Sequence, residues 1–80
     1  MIEDIDNADS RKVNYELATD MFKQFLDIKR KNPEIVLFYR LGDFYEGFFE
    51  DALIFAKELG LTLTHKDGGA IGRVPMAGIP

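Results

Sequence analysis

A chain of 80 residues without cysteine has room for one domain with a modest core, and it excludes disulfide-stapled and thiolate-metal classes. Ten basic residues against 14 acidic give a formal charge of −4, which excludes wholesale phosphate binding and confines any nucleic-acid contact to a local patch. At 46% hydrophobic and 30% charged the composition is that of a globular domain, and no apolar run approaches the ~18 residues of a membrane span.

Met1 to Lys12 carries Glu3, Asp4, Asp6, Asp9, Arg11 and Lys12 among isolated apolar residues. This composition predicts an acidic, mobile arm over residues 1–18 that does not anchor itself to a core. Its start also lacks the basic head of a signal peptide, so a soluble, cytoplasmic piece is expected. From Leu17, the residues Leu17, Ala18, Met21, Phe22, Phe25, Leu26 and Ile28 recur at three- and four-residue spacing, one face of a helix. Thr19 or Asn14 supplies its N-cap oxygen, Lys29-Arg30-Lys31 suits its negative end, and Asn32-Pro33 closes it.

Glu34 to Leu41 is nearly continuous in apolar, β-branched and aromatic residues, which predicts a central strand covered on both faces. Gly42-Asp43 fits a two-residue type II′ hairpin turn. Phe44 to Phe48 then returns antiparallel, with Phe44, Glu46 and Phe48 on one face and Tyr45 on the other. Phe44, Tyr45, Phe48 and Phe49 cannot all point inward from one extended segment, so at least one ring is expected at the surface. Gly47 suggests a bulge or a close backbone approach.

Glu50-Asp51 opens a second helix with Ala52, Leu53, Phe55, Ala56 and Leu59 as its buried stripe and Gly60 as its stop. Leu61 to Thr64 alternates like a short strand, residues 65–73 read as a flexible glycine-containing loop, and Val74 to Gly78 resumes an extended path in which Pro75 indicates an edge or a strand start. The fold class is therefore α/β (α+β), a small mixed sheet flanked by helices in the order helix–strand–strand–helix–strand–strand.

Little catalytic chemistry is available. His65 has no nucleophile near it in sequence, and Ser10, the only serine, lies in the N-terminal arm. A metal site built from His65 and Asp67 would need remote carboxylates. Gly68-Gly69 with Gly72 lacks the Lys-Ser/Thr of a phosphate loop, and Glu50 and Asp51 are explained as helix-start residues. No enzyme activity is expected of these residues. What remains is the pair Phe44 and Glu46, either a core ring beside a surface carboxylate or a stacking wedge beside a hydrogen-bonding group.

Four blocks favour the second. Phe38-Tyr39-Arg40-Leu41-Gly42-Asp43-Phe44-Tyr45-Glu46, then Phe48-Phe49-Glu50-Asp51-Ala52, Leu61-Thr62-Leu63-Thr64, and Val74-Pro75-Met76-Ala77-Gly78-Ile79-Pro80 together resemble the N-terminal mismatch-recognition domain of the bacterial MutS family. The resemblance runs from Thr19 to Pro80, so residues 19–80 are read as the N-terminal part of that domain, truncated at its C-terminal end, and residues 1–18 have no counterpart in it. It implies that Phe44 stacks on a mispaired base from the minor groove while Glu46 hydrogen-bonds that base. Lys66, Arg73 and Arg40 are placed by position as DNA-backbone contacts, although where the family often shows Thr-Lys-Arg-Gly this chain has Thr64-His65-Lys66-Asp67-Gly68.

The resemblance further implies a partner, double-stranded DNA containing mismatches or small loops. For the full-length family it implies dimers, recruitment of MutL, and ATP with Mg on an ATPase domain these residues do not contain. The alternative is a small non-catalytic α/β protein-interaction or structural domain with Phe44 in its core. Exposure of the Phe44 ring separates the two.

Overall fold

The computed structural model describes residues 6–80. Its architecture is the predicted α+β order, with helix α1 (Asp20–Lys31), strands β1 (Tyr39–Leu41) and β2 (Phe44–Phe48), helix α2 (Glu50–Leu59), and strands β3 (Thr64–Asp67) and β4 (Arg73–Ile79). The four strands form one sheet in the order β1-β2-β4-β3, antiparallel at every pairing.

The helices cover opposite faces of that sheet. On one, Phe22, Phe25 and Leu26 of α1 pack with Phe48, Phe49 and Val74. Phe22 and Phe25 meet Phe48 edge to face, with centroids 5.1 and 5.4 Å apart, the arrangement the ring quadrupoles favour. On the other, Ala52 and Phe55 of α2 cover Ala77, and Phe38 stacks on Phe55 at 3.8 Å. Gly47 faces this side; a Cβ there would run into the Phe55 ring. The predicted close approach is therefore real, and it needs no bulge, since the β2–β4 register is unbroken from Tyr45↔Ile79 to Phe48↔Met76.

The helix ends follow the sequence closely. Thr19 caps α1, its side chain accepting from the Phe22 N–H, while Asn14 caps a separate 3-10 turn at Tyr15–Leu17. Leu17 thus lies outside the helix and is 52% exposed. Gly60 ends α2 with φ 68°, the left-handed geometry glycine adopts without a Cβ penalty. Leu59, expected in the buried stripe, is 58% exposed instead: it occupies the last turn, beyond the reach of the sheet.

Two strand assignments and one loop need correction. The expected central strand over residues 34–41 is an edge strand of three residues. Ile35 and Val36 are exposed, and the backbone there is satisfied by side chains rather than a ladder: Lys29 donates to the Ile35 carbonyl, and the Leu37 N–H donates to Asp51. The third strand lies three residues later than expected, because pairing with β4 sets its register from Thr64↔Met76 to Asp67↔Arg73. The expected loop over residues 65–73 shrinks accordingly to a turn across residues 68–72 with a 3-10 segment at Gly69–Ile71.

Pro75, expected at an edge or strand start, lies within β4 between two neighbours. It is tolerated because its carbonyl accepts from Phe49 N at 3.2 Å. A paired antiparallel residue directs its donor and acceptor to the same side, so the missing N–H falls opposite Phe49, where β2 has already ended.

The stretch before α1 also differs from expectation. Val13 and Ala18 are buried in the α1 cluster, Ser10 is 2% exposed, and its N–H and hydroxyl both donate to Glu50 at the start of α2, at 2.7 and 2.6 Å. Arg30 donates to the Val13 carbonyl, and Asn7 donates to the carbonyls of Ile71 and Arg73. Composition alone missed these anchors because each is a single residue: one valine, one serine, one asparagine. The part of the predicted arm over residues 1–5 lies outside the described residues.

Candidate nucleic-acid interface

The hairpin is built by two residues that leave the Leu41↔Phe44 pair intact. Gly42 has φ 59°, whereas Asp43 is not among the residues with positive φ, the signature of the predicted type II′ turn. Phe44 follows directly, 52% exposed. It shares a face with Glu46 and Phe48, of which Phe48 packs against Phe22 and Phe25 of α1. A ring this exposed is not a core ring. Tyr45 lies on the α2 face and is 43% exposed rather than in the core.

Phe48 and Phe49 are both fully buried against α1 although they are consecutive. The strand alternation is broken at Phe49, whose φ of 58° turns the chain out of β2 and into α2. A non-glycine residue in that region costs ~1–3 kcal/mol, held in place only by surrounding packing. Two aromatics thus turn inward, and Phe44 and Tyr45 remain at the surface.

Glu46 is half-buried. Its pairing neighbours are Tyr39 on β1 and Gly78 on β4. The Tyr39 hydroxyl donates to Gln24 of α1 at 2.6 Å, and its ring meets Phe25 edge-on at 6.0 Å. A Cβ at Gly78 would stand 2.8 Å from Glu46 Cγ and 2.6 Å from the Tyr45 carbonyl. Sequence reading missed Tyr39, Gln24 and Gly78 because only strand register brings them beside Glu46.

The predicted cations are dispersed. Arg40 stays at the hairpin, its Nε donating to the Gly42 carbonyl at 3.1 Å, though it lies on the face opposite Phe44. Lys66 pairs with Val74 and Arg73 with Asp67, at the far end of the sheet. At about 3.4 Å per residue, Lys66 is six rungs or ~20 Å from Phe44 along the strands. The structure therefore brings Phe44, Glu46 and Arg40 to one corner and leaves Lys66 and Arg73 elsewhere.

The lead-in to β1 is held by a buried ion pair the sequence did not reveal. Lys29, read there as a helix-dipole residue, extends its ammonium to Asp51 at 2.8 Å, with side-chain exposures of 7% and 0%. Burial pushes the Asp51 carboxyl above its ordinary value, while the Lys29 ammonium and the Leu37 N–H pull the other way. Through Ile35 and Leu37 the pair fixes the lead-in to β1.

A cleft of about 480 Å³ runs between Asp9, Arg11, Arg30 and Glu50. Its charges are already engaged, Arg11 with Asp9 and Glu50 with Ser10, so it is the seam of the N-terminal segment. Among the described residues no group of three or more His, Asp or Glu could hold a metal ion, and no helix is long and apolar enough to cross a membrane.

An exposed ring behind a rigid turn, with a carboxylate two residues further on the same face, suits insertion into a stacked polymer combined with one directed hydrogen bond. Residues 19–80 match the family model of MutS domain I. The chain is 61% identical over 64 residues to the DNA mismatch repair protein MutS of Symbiobacterium thermophilum, covering 79% of this chain and 7% of that protein. It is 56% identical over 62 residues to the DNA mismatch repair protein MutS of Desulforamulus reducens, covering 78% and 7%. The protein of that name from Parasynechococcus marenigrum is 49% identical over 85 residues, covering 98% of this chain and 9% of the relative, so that alignment takes in most of the segment before α1 as well. The chain spans less than a tenth of the length of these relatives.

Proposed function

The chain belongs to the MutS domain I family, and from that premise we propose that it serves DNA mismatch repair as a mismatch-reading module, with Phe44 as the wedge and Glu46 as the hydrogen-bonding group. The observation that carries this reading is the 52% exposure of Phe44 at a corner held by two paired strands. Inserting an apolar wedge unstacks a base step and kinks the duplex at a cost of a few kcal/mol, and aromatic stacking returns ~1–3 kcal/mol per base. A well-paired step resists that exchange. A mispair has already lost part of its pairing and stiffness, so the same wedge succeeds there, and recognition proceeds by deformability.

Glu46 acts at contact distance, because phosphates repel it further out. Ionised, it accepts from a base N–H; protonated, it donates to a base nitrogen. Arg40, its guanidinium held at the turn, supplies the phosphate contact nearest the wedge, whereas Lys66 and Arg73 reach a separate stretch of backbone. With a net charge of −4, affinity of this chain alone is weak, since it scales with the phosphates neutralised. Dimerisation, recruitment of MutL, and ATP with Mg belong to the proposal for a longer protein. The turn at Gly68–Gly72 lacks the Lys-Ser/Thr that would cradle phosphates, and the action proposed here uses no nucleotide.

The test is a titration at low salt of a duplex carrying one G·T pair and of its fully paired counterpart. Phe44→Ala is expected to lower affinity for the mispaired duplex by roughly 5- to 150-fold, the equivalent of one lost stacking contact, and to leave the paired duplex nearly unchanged. Equal binding of both duplexes by the parent chain, or no loss in the variant, defeats the reading. Arg40→Ala should weaken both duplexes together and reduce the salt slope by about one.

A further inference from the structure

Glu46 has a wall on one side and a gap on the other. Tyr39, directly opposite on β1, is fixed at both ends, its hydroxyl 2.6 Å from Gln24 Oε1 and its ring against Phe25. On the β4 side the neighbour is Gly78, which presents no side chain, and the place a Cβ would take lies 2.6 Å from the Tyr45 carbonyl oxygen and 2.8 Å from Glu46 Cγ, so a side chain there would press on the β2 backbone as well as on the Glu46 stem. The Glu46 stem therefore leans over β4, across the surface that Gly78 leaves open. Gly78 is not among the residues with positive φ, so what this position needs from glycine is room, not backbone freedom.

We propose that Tyr39 and Gly78 are positioning residues for Glu46, which together aim its carboxylate and thereby set the discrimination between mispaired and paired duplex. The inference rests on the role given to Glu46 above. It adds that discrimination and insertion are separable: Phe44 pairs with Leu41 and touches neither determinant's place in the register, so the wedge can be kept while the aim is lost. A hydrogen bond is directional and weakens steeply once its angle falls below ~120°. Stacking of a ring tolerates small displacements far better.

The experiment measures the ratio of affinities for the G·T duplex and its paired counterpart in five variants of this chain: Glu46→Gln, Tyr39→Phe, Gln24→Ala, Gly78→Ala and the double variant Gly78→Ala/Glu46→Gln. Tyr39→Phe and Gln24→Ala release the wall, and each is expected to lower the ratio roughly three- to tenfold, the effect of one misdirected hydrogen bond. Gly78→Ala is expected to lower it by a similar factor, roughly three- to tenfold, through lost affinity for the G·T duplex, and to lower it less in the double variant, since a neutral amide has less hydrogen-bond strength to lose than a carboxylate. A purely structural role would shift both affinities in parallel and would add to Glu46→Gln; either result overturns the proposal. Should Gly78→Ala fail to fold, Tyr39→Phe and the exposed Gln24→Ala decide it by the same ratio. If Glu46→Gln lowers the ratio while Tyr39→Phe, Gln24→Ala and Gly78→Ala keep the parent value, this inference alone falls. If Glu46→Gln itself leaves the ratio unchanged, the role assigned to the carboxylate falls first.

Discussion

Phe44 and Glu46 stand two residues apart on one strand and face the same way, yet their substitutions should act on different duplexes. The ring is half exposed and belongs to neither core cluster, so Phe44→Ala should leave thermal unfolding within about 0.5 kcal/mol of the parent; a larger drop would place the ring in the core after all. Glu46→Gln removes a charge that phosphates repel and keeps a hydrogen-bonding group of the same shape. It is expected to tighten binding to fully paired DNA and so narrow discrimination, read by parallel titrations of paired and G·T duplexes. Affinities for the two that rise or fall together would sink the idea. The motif itself was legible because Gly-Asp dictates a turn and the alternation of a strand dictates faces. The exposure of Phe44 was not, since it depends on where α1 ends across the sheet.

At the scale of elements, one buried ion pair joins the end of α1 to the start of α2 and holds the lead-in to β1. Lys29 and Asp51 are separated by 22 residues and meet at 2.8 Å. With its partner removed in Lys29→Met, the Asp51 carboxyl keeps only the Leu37 N–H against burial, which raises its folded-state value further above the unfolded ~3.9. Between those two values the folded state binds more protons than the unfolded state, so stability falls as pH rises. The variant should lie closer to the parent near pH 4 and be less stable by about 3–5 kcal/mol at pH 7, measured by urea unfolding at both. An equal loss at the two pH values would show that the carboxylate is not stranded. Helix identities were readable because caps and periodicity are local signals. Strand limits were not: the apolar run over residues 34–41 reads the same whether a sheet or an ion pair receives its backbone.

For the whole molecule, the segment before α1 joins parts that are otherwise separate in sequence. Ser10 engages α2, Val13 enters the α1 cluster, and Asn7 reaches the β3–β4 turn. Burying a valine side chain alone contributes ~1.5–3 kcal/mol. Cutting the chain to residues 19–80, the span of the family model, should therefore lower the melting temperature by on the order of 10 °C, followed by circular dichroism. A shortened chain that melts with the parent would make the segment passive. The net charge of −4 acts at this scale too, and the DNA binding proposed for this chain should fade quickly with salt.

The sequence by itself determined the element order, the helix stop at Gly60, the type II′ turn and the placing of Phe44 and Glu46 on one face of a strand. Each of these is set by neighbours within about four residues. The tertiary structure decided which strands are central, that Pro75 sits inside the sheet, that Lys29 and Asp51 meet, and that Tyr39 and Gly78 flank Glu46. It also decided the fate of the four aromatics in the hairpin. Alternation alone allowed two of them inward on different faces, and the positive φ at Phe49 instead put Phe48 and Phe49 on one. Those outcomes follow from register and packing between distant segments, where the free energy of a whole face overrides any local preference.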